Sequence, residues 1–124
     1  YKINTIMNDN FFRSSIIKSN VYDYSQENEI SATASSNLIN KIRLNWIHDL
    51  NEEEFYSLEI YRTDDQFSDP CDDLLLATIT NYEKLTLDDS FLIGDGVTWF
   101  YKLKLIDKYG NINFSEIESG ITFP

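Results

Sequence analysis

Any chemistry in this 124-residue chain would come from a short set of side chains. His48 is the only histidine and Cys71 the only cysteine. A Ser-His-Asp site needs its histidine between a nucleophile and an acid. No nucleophile motif accompanies His48, which falls just past Trp46, so it reads as a loop or edge histidine. Cys71 lies between Pro70 and Asp72 in an acidic stretch. Neighbouring carboxylates disfavour its thiolate, so a nucleophilic role is not expected. With no second cysteine an internal disulfide is impossible, and a bond to another chain is the only pairing open. Carboxylates are plentiful: Asp64, Asp65, Asp69, Asp72 and Asp73 fall in one stretch, followed by Asp88, Asp89 and Asp95. Calcium takes several oxygen ligands from a turn, and those first five would be its ligands here. Their spacing fits no EF-hand, which needs its Gly and a terminal Glu, so the expectation is a solvated loop. Paired carboxylates can also hydrolyse glycosides, but these sit on loops with no cleft in prospect. No catalytic constellation can be assembled, and neither enzyme activity nor a cofactor is expected.

Aromatic side chains are the stronger candidates for contact. Tyr61 and Phe100 fall on the outward parity of their stretches, Tyr109 falls at a turn, and Phe11 and Phe12 fall at a similar turn near the start. Exposed aromatics at such places anchor protein partners or sugar rings, and they also serve cross-strand packing and domain junctions. A junction or subunit contact is the favoured reading. The net charge of −11, with ten Lys and Arg in all, argues against a nucleic-acid partner, whose phosphates need clustered Lys and Arg, and against an anionic membrane surface. No apolar run approaches the ~20 residues of a membrane-spanning helix. The first residue is Tyr rather than Met, as expected of a processed chain or a piece of a longer one.

These residues must be positioned by strands. From Trp99 to Leu105 every second residue is large and apolar, with Lys102 and Lys104 between, which is the period of a half-buried strand over 98–107. Ile42, Leu44 and Trp46 alternate with Lys41, Arg43 and Asn45 in the same way. A strand over 55–62 is expected to turn Tyr56, Leu58 and Ile60 to one face. Further strands are expected over 30–35, 74–80, 85–88 and 113–123, with loops over 63–73 and 91–97. Seven short antiparallel strands at near-regular spacing make an all-β sandwich. Its core is expected to hold Trp46, Ile42, Leu44, Leu58, Ile60, Trp99, Tyr101, Leu103 and Leu105.

The order Ile30-Ser31-Ala32-Thr33-Ala34, Ile42-Arg43-Leu44-Asn45-Trp46, Leu58-Glu59-Ile60-Tyr61-Arg62, Leu75-Leu76-Ala77-Thr78-Ile79, Thr86-Leu87-Asp88-Asp89 and Thr98-Trp99-Phe100-Tyr101-Lys102-Leu103 resembles a fibronectin type III domain, an immunoglobulin-like sandwich. The ending Asp107-Lys108-Tyr109-Gly110-Asn111 and then Phe114-Ser115-Glu116 is similar to the bacterial and phage branch of that family. The resemblance implies that Trp46 is the core tryptophan of the second strand. It also implies that Trp99 stands where the family has its corner tyrosine, without the phenolic hydroxyl that bonds back to the preceding loop. For function it implies a non-catalytic spacer and protein-interaction module in a larger assembly. The setting would be a phage tail tip or fibre, which is favoured, or a secreted or cell-surface bacterial protein. In the second setting the loop over 63–73 and Tyr61 would bind calcium or carbohydrate.

Residues 1–23 lie without gaps on residues 101–123, an offset of one such domain. Tyr1-Lys2-Ile3 falls on Tyr101-Lys102-Leu103, Asn10 on the turn residue Gly110, and Ser15, Ile17 and Ser19 on Ser115, Ile117 and Ser119. The expected organisation is therefore the last hairpin of a preceding similar domain over 1–23, a linker over 24–29, and the sandwich over 30–124. An isolated hairpin is marginal in water. Its missing strands would come from neighbouring parts of the polypeptide or from other subunits, which are the expected partners.

Overall fold

The computed structural model describes residues 28–91 and 93–123. Within them lie eight strands: β1 (Ile30–Ala34), β2 (Ile42–His48), β3 (Phe55–Thr63), β4 (Leu74–Ile79), β5 (Thr86–Asp89), β6 (Thr98–Asp107), β7 (Ile112–Phe114) and β8 (Glu118–Ile121). A single turn of 3-10 helix, Pro70–Asp72, lies in the loop before β4. One sheet has the order β1-β2-β5, and the other has β4-β3-β6 with β7 and β8 sharing the far side of β6. Every pairing is antiparallel. The two sheets face each other across a core of Ile42, Leu44 and Trp46 from β2, Leu58 and Ile60 from β3, and Tyr101, Leu103 and Leu105 from β6. Burying side chains of this size contributes about 1.5–3 kcal/mol apiece. Trp99, expected in the core, packs against it while half-buried.

Three expectations need correction. Tyr56 does not join Leu58 and Ile60: it is 63% exposed, because the register against β6 shifts between Phe55 and Ser57 and turns the extra residue outward. The last strand is broken in two, so there are eight strands and not seven. The break has a side-chain cause at Ser115: its Oγ accepts the Leu103 N–H at 2.9 Å, where a continued ladder would offer a main-chain carbonyl, and donates to the Glu116 carbonyl at 2.8 Å. Asn28, assigned to the linker, is buried and belongs to the sandwich; its side chain donates to Asp107 at 3.3 Å and its amide to Asn113 at 3.1 Å. The hairpin expected over 1–23, including Phe11 and Phe12, lies outside the described residues.

The sheets are tied together at one edge. Gly120 in β8 lies so close to β2 and the β1–β2 loop that a Cβ there would stand 2.7 Å from Ile42 Cγ2 and 2.8 Å from the Ser35 carbonyl oxygen. Ile121 and Phe123 then donate their amides to Ser35 and Leu38. Strand direction places the two termini of the sandwich apart. Ile30 pairs with His48, whose ring stacks on Phe55 at 5.4 Å, and Phe55 pairs with Asp107 at the end of β6. Ile121 pairs with Thr98 at the start of β6. The chain therefore enters at one end of the sandwich and leaves at the other, with ten-residue β6 running between them.

Candidate functional site

The exit end carries most of the side chains singled out from sequence. Its foundation is a buried ion pair. Leu58, Ile60 and Arg62 share the inward parity of β3, so Arg62 points into the sandwich with its side chain 3% exposed. Its Nη1 donates to both oxygens of Asp89, at 2.8 and 3.1 Å, and to the Phe91 carbonyl at 2.7 Å. Asp89 also accepts the Tyr101 hydroxyl at 2.6 Å and the Phe91 amide at 3.1 Å. Burial and then the Asp89 bond push the Tyr101 phenol far above its ordinary pKa, so it acts here only as a donor. The Arg62 guanidinium lies 4.0 Å over the Trp99 ring, a cation–π contact. That face contact is the environment of Arg62 Nε, which has no hydrogen-bond partner among the described residues. Trp99 Nε1 donates to the Ile93 carbonyl at 2.7 Å. The tie to the preceding loop that a corner tyrosine would make with its hydroxyl is thus made here by the indole nitrogen. Asp89, grouped in the sequence with the chain's other carboxylates, is buried and structural.

Above this lies the Asp-rich loop. Asp65 accepts the Phe67 amide at 2.9 Å and the Ser68 hydroxyl at 2.8 Å, bonds that hold its carboxyl below the usual pKa. Asp69 caps the 3-10 turn by accepting the Cys71 amide at 2.9 Å and binds Lys102 at 3.3 Å, and its pKa is also lowered, chiefly by the Cys71 amide. The Cys71 thiol is pushed up by burial first and by Asp69 second. Asp64, Asp72 and Asp73 accept no hydrogen bond and join no ion pair among the described residues. The five calcium candidates do share a hollow of about 570 Å³, yet no group of three or more His, Cys, Asp or Glu among the described residues is arranged to hold a metal ion. Phe67, which the sequence reading passed over, projects from this loop 89% exposed. It lines a second hollow of about 430 Å³ with Phe100, Val97, Thr98, Asp64, Asp65 and Gln66. The signal for Phe67 was a lone aromatic inside an acidic loop; the signal for Arg62 was a charge at the inward parity of a buried strand.

The other candidates are scattered. Tyr61 is half-buried and donates its hydroxyl to Glu59 at 2.6 Å, which lifts its pKa to about 12. It pairs with Lys102 on β6 and Leu75 on β4, a cross-strand role. Tyr109 is exposed at the far end, on the β6–β7 turn, where Asp107 Oδ1 accepts the Tyr109 and Asn111 amides at 2.9 Å and Gly110 takes φ 87°. His48, at the end of β2, accepts the Leu50 amide at 3.3 Å and lies between Phe55 and Tyr82. Burial lowers its pKa against the opposing pull of Asp49.

No protein-family model matches the chain, and no curated protein matches it in sequence. Solved structures do. A pectate lyase, Pel3 from Pectobacterium carotovorum, superposes over 73% of this chain with a TM-score of 0.61 at 14% identity, and the matched part is 26% of the lyase, so this chain spans about a quarter of that protein's length. An Fn3-like protein from Clostridium thermocellum matches over 75% of this chain and 91% of its own, with a TM-score of 0.52 at 15% identity. The sixth fibronectin type III domain of human fibronectin type III domain containing protein 3 matches over 76% of this chain and 82% of its own, with a TM-score of 0.53 at 14% identity. The described sandwich has the fibronectin type III-like fold.

Proposed function

We propose that this fibronectin type III-like sandwich is a non-catalytic spacer and protein-interaction module, one bead of a tandem array inside a larger assembly, with a phage tail tip or fibre as its setting. The observation that carries the reading is the placement of chain entrance and exit at opposite ends of the sandwich. Beads linked in that way extend along their strands and hold their neighbours apart. The 23-residue self-similarity at an offset of one domain supports the same reading. The test is denaturing mass spectrometry of the native polypeptide that contains this chain. A mass far above that of 124 residues, with peptides running upstream of Tyr1 into a similar domain, is the expected result; a mass equal to these 124 residues overturns the array.

A second reading has its own support. The lyase match covers only a quarter of that enzyme, so a sandwich of this shape occurs there as one part of a larger bacterial protein. On that reading the chain is an accessory module of a secreted or cell-surface protein, and the flanking peptides would belong to a catalytic or anchoring domain in place of virion components. Calcium at the 63–73 loop is tested by thermal shift, since a metal that binds only the folded state raises its melting temperature. No shift at millimolar calcium removes the metal.

A further inference from the structure

We propose that the hollow between Phe67 and Phe100 is a docking site for a basic, aromatic-bearing segment of a partner protein, a proposal that deepens the interaction-module reading above. Phe67 is the most exposed large apolar side chain among the described residues, at 89%. With Phe100 and Val97 it frames the hollow of about 430 Å³ at the exit end, wide enough for one aromatic side chain. A ring left so far in water beside a shallow hollow lined in equal part by apolar and polar side chains marks a contact region.

Charge complementarity selects the occupant. Phe67 also borders the hollow of about 570 Å³ lined by the carboxylates of the same loop. Of these, Asp64, Asp72 and Asp73 are exposed and their carboxylates have no partner among the described residues. Among the described residues Lys102 is the cation that reaches this loop, and it is already paired with Asp69. The whole chain carries −11, which steers cations toward it. An aromatic side chain seated against Phe67 and Phe100 would thus place a neighbouring Lys or Arg over the acidic hollow. A polyanion would be repelled from the same place, and a neutral sugar would leave the carboxylates unused.

The experiment is a two-dimensional amide NMR titration of the whole chain with three short peptides: Lys-Trp-Lys, Lys-Ala-Lys and Glu-Trp-Glu. Lys-Trp-Lys is expected to shift the amides of Phe67, Val97, Thr98 and Phe100. Each control peptide should bind at least about 5-fold more weakly, because each lacks one half of the match. Raising salt to 0.5 M, where the Debye length falls to roughly 4 Å, should weaken Lys-Trp-Lys by about 3-fold or more. Phe67→Ala, and separately the triple change Asp64→Asn, Asp72→Asn, Asp73→Asn, should each weaken it by about 5-fold or more. These residues are exposed, so melting temperature should hold and a binding loss can be read as such. The proposal is overturned if Lys-Trp-Lys shifts amides elsewhere, if Phe67→Ala titrates like the parent, or if Glu-Trp-Glu or neutral cellotetraose binds the same amides as well as Lys-Trp-Lys does. A failed titration beside a mass that supports the array removes this site and leaves the spacer standing.

Discussion

Arg62 and Asp89 show how a side-chain pair can set local architecture. Removing either partner strands the other charge away from water, which typically costs ~3–5 kcal/mol, whereas the intact pair adds little net stability because its own desolvation offsets its attraction. Asp89→Asn and Arg62→Met are each expected to lose about that much in urea denaturation, and the double variant to lose clearly less than their sum. Additive losses would mean that the two charges do not sense each other. The pair also decides what the sequence could reveal. Arg62 sits at a parity that periodicity assigns to the core, as Leu58 and Ile60 do. Reading it required asking where its counter-charge lay, and the answer is 27 residues away in a strand of the opposite sheet. Phe67 escaped for the reverse reason: no period runs through an acidic loop, so nothing local says whether its ring is buried.

At the scale of elements, β2 and β6 were legible because their apolar residues alternate without a break and burial follows that alternation. The lower end of β3 was not, because a bulge changes which parity faces inward and leaves no mark in composition. The split between β7 and β8 was hidden for a related reason: Ser115 competes with the backbone for a hydrogen bond, a matter of geometry that a run of residue types does not carry. Ser115→Ala leaves the Leu103 amide without its acceptor in a buried place, and a loss of ~1–3 kcal/mol is expected in chemical denaturation. A change within ±0.3 kcal/mol would show that water or a repaired ladder replaces the hydroxyl. Gly120 gives the sheet-edge counterpart. Gly120→Ala must push a methyl into Ile42 and the Ser35 carbonyl, so overpacking of ~1–3 kcal/mol is expected. Unchanged stability would mean that the β1–β2 loop yields freely.

Across the whole molecule the lowered pKa values set a pH dependence. Asp107, pushed up by burial but pulled down further by Asn111, the Tyr109 amide and Asn28, ends below its ordinary value. Asp65, Asp69 and Asp88 are lowered too, the last to about 2 by the Arg43 bond. A group with a depressed folded pKa stabilises above its unfolded value and loses that contribution as pH falls toward the folded one. The melting temperature should therefore fall as pH drops through 3.8, where these carboxylates are half protonated in the unfolded chain, and the fall should be modest because Asp65, Asp69 and Asp88 are exposed. His48 adds a shallower slope: protonation favours the unfolded chain as pH falls below 6.5, and His48→Phe should flatten that upper slope and leave the acid one intact. An upper slope unchanged in the variant would assign it to other groups. The opposed ends of the sandwich have one more consequence. A pull applied at Asn28 and Phe123 runs along the strands, so the β1–β2 ladder and the β6–β8 ladder are loaded in shear, all their bonds at once and not one after another as in unzipping. Tension between neighbours in a chain of such beads would meet its first resistance in the terminal strands, at the Ser35–Ile121 hydrogen bond and the seat of Gly120 that fasten β1 to β8.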